Sequence, residues 1–96
     1  MKNDLLNKIL GAETSVRREG DSFLIGDDVE LTVLLDMGHE ALAIAKVRRV
    51  TANSDFLLFE TQKGERVYAA AQGGVKALKL SPTDASKSRG TGFTAR

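Results

Sequence analysis

A chain of 96 residues with 14 Lys and Arg, 13 Asp and Glu and a net charge of +1 has room for one domain and no bulk charge excess. Contact with a polyanion then has to come from a local patch. The absence of Cys and the single His exclude disulfides, thiolate chemistry and a zinc site built by this chain unaided. No apolar run reaches the ~18 residues of a membrane span, and residues 1–10 are too short and too polar for a secretory signal, so a cytoplasmic protein without cofactor, metal or membrane contact is expected.

Residues 1–11 form the first zone. Leu6, Ile9 and Leu10 stand at i, i+3 and i+4, which places them on one face of a helix. Asn3 or Asp4 can cap its start, and Gly11 can end it in a left-handed conformation. Two turns are marginal alone, so this face needs either the chain's own domain or another chain. Leu6, Ile9 and Leu10 are therefore candidates for a partner interface.

The second zone, residues 12–80, reads as short strands separated by turns. A strand over 14–18 is followed by the turn Glu19-Gly20-Asp21, and one over 22–25 by Gly26-Asp27-Asp28. Val29, Leu31, Val33 and Leu35 then alternate with Glu30, Thr32 and Leu34, the period of a half-buried strand. Asp36-Met37-Gly38-His39 predicts a hairpin turn, with Leu42 and Ile44 facing inward on the returning strand. The pattern blurs over 46–50, which predicts a bulge. Phe56-Leu57-Leu58-Phe59 is apolar on both faces, so that strand is central or covered by a partner, and Phe56 and Leu58 join the candidate interface. Gln62-Lys63-Gly64-Glu65 is a further hairpin turn, 66–69 a strand, Gly73-Gly74 a break and 75–80 a last short strand.

The third zone, 81–96, has Phe93 as its only large apolar residue and carries Lys87, Arg89 and Arg96 against Asp84. It reads as a disordered, flexible tail. The fold class is all-β: a small antiparallel barrel or sandwich of about five to seven short strands with a short N-terminal helix. A core this thin favours a homodimer.

No catalytic constellation emerges. His39 lies in a turn without a nucleophile, and Asp27, Asp28 and Glu30 lack the oxygen count and spacing of a calcium loop. Gly73-Gly74 belongs to no phosphate-loop pattern. The densest basic cluster is Lys46, Arg48 and Arg49, which is either a solvated strand edge or a phosphate- or partner-binding patch. On a regular strand Arg48 and Arg49 would point to opposite faces unless a bulge intervenes. A second pair, Arg17-Arg18, precedes the first turn.

That pair sits in a telling context. The segment SVRREGDSFLIGDDVELTVL, residues 15–34, resembles the opening of the carbon-storage-regulator family (CsrA/RsmA), small bacterial RNA-binding translational regulators. Arg17, Arg18, Gly20, Ile25, Gly26, Asp27, Asp28, Val29, Thr32, Val33 and Leu34 fit the family pattern without a gap, and Gly38 falls on its next hairpin glycine. Residues 52–58 are similar to a later stretch of the family once an insertion is placed near 46–50. The resemblance implies an intertwined homodimer that binds GGA-containing messenger RNA through first-strand residues and an Arg on the fifth strand of the second subunit. Arg17 matches the first-strand Arg. Ser15 replaces a first-strand Leu, and Glu60 stands where the fifth-strand Arg is expected. The family's final helix has no counterpart; a hairpin and a Gly-rich end take its place.

The reading is then a non-enzymatic, RNA-binding translational regulator using Arg17, Arg18, Lys46, Arg48 and Arg49. The alternative is a small β-barrel protein-interaction or assembly module without nucleic-acid binding, using the helix and the strand at 56–59.

Overall fold

The computed structural model describes residues 2–71 and 74–83. They form one helix, α1 (Asn3–Ala12), and seven strands: β1 (Val16–Glu19), β2 (Ser22–Ile25), β3 (Val29–Asp36), β4 (Ala41–Ala52), β5 (Phe56–Thr61), β6 (Arg66–Ala70) and β7 (Val75–Pro82). Every pairing is antiparallel, in the order β1-β2-β4-β3-β7, with β5 on β4 and β6 on β5. The result is a curled sheet, an open half-barrel closed on one side by α1.

The curl comes from β4. Its first half pairs with β3, while its second half lies between β2 and β5. The pairing shifts register between Leu31 and Val33 on the β3 side and between Val47 and Arg49 on the β5 side. Each shift marks a bulge, which bends and twists a strand. Core-facing residues of β4 therefore recur every third position, at Ile44, Val47 and Val50. Lys46 sits in the first bulge with φ of +56°, and its carbonyl accepts a hydrogen bond from the Gln62 amide at 2.9 Å. The blurred pattern over 46–50 is thus two bulges.

The core joins Leu6 and Leu10 of α1 to Phe23, Ile25, Leu31, Val33, Leu35, Ile44, Val47, Val50, Leu57, Phe59 and Val75. β5 is central, between β4 and β6, and its two faces part company: Leu57 and Phe59 are buried, Phe56 and Leu58 face outward. No described helix is long and apolar enough to cross a membrane.

Several local expectations are corrected. α1 runs through Gly11 to Ala12, and Gly11 is not among the glycines with positive φ. Its N-cap is Lys2, without a side-chain cap bond; Asn3 instead donates from Nδ2 to the Asn53 carbonyl at 3.2 Å, tying the helix to the β4–β5 turn. Leu42 shares the inward row with Ile44, opposite buried Leu35, but is 45% exposed because it stands near the hairpin end of the sheet. β7 extends two residues past 80, pairing Ser81 with Glu30 and Pro82 with Val29. The remaining tail expectation, for 84–96, lies outside the described residues, as does Gly73.

Gly26, in the β2–β3 turn, is a point of close backbone approach rather than of positive φ. A Cβ there would stand 2.8 Å from the Ser15 carbonyl oxygen, which accepts the Gly26 amide at 2.7 Å. Positive φ belongs to Gly20, Gly38 and Gly64, each in a turn, where the lack of a side chain removes the steric cost.

Candidate nucleic-acid interface

The strand register decides which basic residues share a surface. Arg17 pairs with Leu24, Leu24 with Arg49, Arg49 with Glu60 and Glu60 with Arg66. Residues directly opposite in antiparallel strands project from the same face. Arg17, Arg49 and Arg66 therefore lie in one row across β1, β2, β4, β5 and β6, on the face away from the core. Glu60 stands between two of them, with its carboxylate 3.9 Å from Arg49 Nε. Two residues further along β5 and β6, Leu58 pairs with Tyr68, and Phe56 pairs with Ala70 beyond it. The Phe56 and Tyr68 rings meet edge to face, their centroids 5.4 Å apart. This outer face thus carries a basic row beside an aromatic pair.

The other three cations expected in one patch go elsewhere. Arg18 pairs with Phe23 and belongs to the inward row; its guanidinium lies 5.3 Å from the Phe23 ring centroid and donates to the Gly20 carbonyl. Lys46 borders a separate groove with Leu42, Ile44, Lys63 and Glu65. Arg48 lies in the second bulge of β4, which throws its side chain off the ladder toward the β2–β3 turn. There Nη2 donates to the Ile25 carbonyl at 2.6 Å and to Asp27 Oδ1 at 3.1 Å, and Nη1 donates to the Val29 carbonyl at 3.3 Å. Arg48 is a clamp on the turn that contains Gly26, and its donors are committed to the fold.

Arg48→Ala is accordingly expected to lower stability by about 1–3 kcal/mol, because carbonyls in a half-buried turn lose a charged donor. Arg48→Lys recovers only part of it, since an ammonium cannot span both carbonyls as a planar guanidinium does. Urea denaturation of the two variants checks this.

Arg17 is different. It is exposed and bonds only weakly to Glu19, at 3.2 Å with both side chains more than half in solvent. Such surface pairs contribute under ~1 kcal/mol, so a phosphate can displace the carboxylate. Arg17 and Ser15 also line a depression of about 500 Å³ with Gly26, Asp27 and Asp28. Ser15 does not face it as a free group: its hydroxyl donates to Asp28 Oδ2 at 2.8 Å. Asp27 and Asp28 therefore act in the turn, and among the described residues no cluster of three or more His, Cys, Asp and Glu is placed to hold a metal.

The residues expected at a partner interface also divide. Leu6 and Leu10 are 1% and 0% exposed in this chain's own core, and Ile9 is half-buried. The helix therefore packs on its own domain. Phe56 and Leu58 remain on the outer face. Arg66 and Tyr68 are the additions that the sequence does not single out; the only available signal was their place opposite Glu60 and Leu58 across the Gly64 hairpin.

Comparison with known proteins gives a translational regulator CsrA of Clostridium botulinum, 46% identical over 48 residues, which span 49% of this chain and 67% of the relative. No family model matches the chain, and no solved structure matches it.

Proposed function

Because the chain belongs to the carbon-storage-regulator family of translational regulators, we propose that it controls translation by binding messenger RNA, with Arg17 at the contact surface. The observation that carries the reading is the 46% identity to a translational regulator. The position of Arg17 supports it: an exposed guanidinium held by one weak surface pair, in register with Arg49 and Arg66. On this reading the protein is non-enzymatic and cytoplasmic, and it works as a homodimer whose mass by light scattering exceeds 10.4 kDa at high concentration.

The test is a fluorescence-anisotropy titration of a GGA-loop RNA hairpin at two salt concentrations. Phosphate contacts make the affinity fall as salt rises. Arg17→Ala is expected to weaken binding by roughly 1–3 kcal/mol with an unchanged melting temperature. Glu60→Arg is expected to strengthen it, because the row then loses its carboxylate and Arg49 loses its counter-ion. Equal affinities for the parent and both variants would sink the reading.

A further inference from the structure

The outer face of β5 and β6 has a property that Arg17 does not explain. Tyr68 is 59% exposed and Phe56 36% exposed on a sheet whose other large aromatic residues, Phe23 and Phe59, are fully buried. The Phe56 and Tyr68 rings pack edge to face at 68°, and this contact braces the phenol while leaving more than half of Tyr68 exposed. Arg66 precedes Tyr68 by two residues and thus projects from the same face. Arg49 lies across Glu60 on the same row. Exposed aromatic rings on a strand, flanked by guanidinium groups, suit unpaired bases: the ring takes the base's π-face and the cations take the phosphates on either side.

We propose that Tyr68, braced by Phe56 and flanked by Arg66 and Arg49, is a stacking platform for an unpaired RNA base. The proposal rests on the RNA-binding reading and extends the contact surface from β1 across the sheet to β6. Of the possible occupants, single-stranded RNA is favoured by the charge: three arginines, Arg17, Arg49 and Arg66, share the row with one carboxylate, Glu60.

The chain contains one Tyr and no Trp, so its intrinsic emission reports Tyr68 alone. Titrating the full chain with the GGA-loop hairpin is expected to quench that emission, after inner-filter correction against a free tyrosine amide, in parallel with the anisotropy signal. Tyr68→Leu is expected to weaken binding roughly tenfold, and Tyr68→Phe to restore it to within about twofold, since stacking needs the ring and not the hydroxyl. Binding by anisotropy without quenching, or with full affinity in Tyr68→Leu, would overturn the platform and leave the RNA-binding reading standing. Absence of binding by anisotropy at low salt would overturn both. Emission that instead changes on protein dilution, with no RNA present, would assign the face to self-association and overturn the platform.

Discussion

Leu10→Ala is expected to destabilise the fold by about 2–4 kcal/mol, the range for a fully buried leucine cut back in a core that cannot collapse around the loss. Leu10 is 0% exposed and belongs to the same cluster as Phe23, Val50 and Phe59. For a domain of this size the total stability is of order 5–8 kcal/mol, so the variant should melt roughly 10–20 °C lower. Ile9→Ala on the same helix should cost far less, because Ile9 is only half-buried. The pair separates two roles for α1. A helix that serves its own domain gives a large loss at Leu10 that does not depend on protein concentration. A helix that serves a second chain gives a loss, measured against the parent at the same concentration, that changes on dilution. Thermal melts over a hundredfold concentration range decide between them.

Gly26→Val is expected to cost roughly 2–3 kcal/mol, through a backbone that cannot move away. The new Cβ would lie 2.8 Å from the Ser15 carbonyl oxygen and 3.1 Å from Asp28 Oδ1. Relieving the first contact stretches the hydrogen bond from the Gly26 amide to that same carbonyl. Relieving the second disturbs the Ser15–Asp28 bond. Overpacking of this kind and a lost backbone bond each contribute on the order of 1 kcal/mol or more. Because the Ile25 carbonyl and Asp27 also hold Arg48, the damage should spread to β4, and Gly26→Val combined with Arg48→Ala should cost less than the sum of the two. A double-mutant cycle in urea measures it; strict additivity would mean that the turn and the clamp are independent.

The two substitutions also mark which features local pattern could reveal. The alternation from Val29 to Leu35 is enough to call a strand with a buried face, because the two-residue period of extended backbone is a local property of the chain. The turns at Gly20, Gly38 and Gly64 were legible for the same reason: positive φ is cheap only at glycine, and each glycine stands between two strand-forming runs. The family context of Arg17 was legible because eleven residues from Arg17 to Leu34 follow one pattern.

What the sequence left open was decided by contacts between residues distant along the chain. Whether Leu6 and Leu10 face a partner or their own core depends on whether a sheet curls enough to receive them, and that curl is set by two bulges in β4. The bulges likewise separate three neighbouring cations that look like one patch: Lys46 goes to a groove, Arg48 to the β2–β3 turn and Arg49 to the outer row. Cross-strand register then assembles Arg17, Arg49 and Arg66 beside Tyr68, residues up to 51 positions apart that no local period connects. By itself the sequence determined the strands, their turns and the family. The composition of the outer face was settled only by pairing register, because one residue of slip in any strand exchanges the face that meets solvent for the face that meets the core.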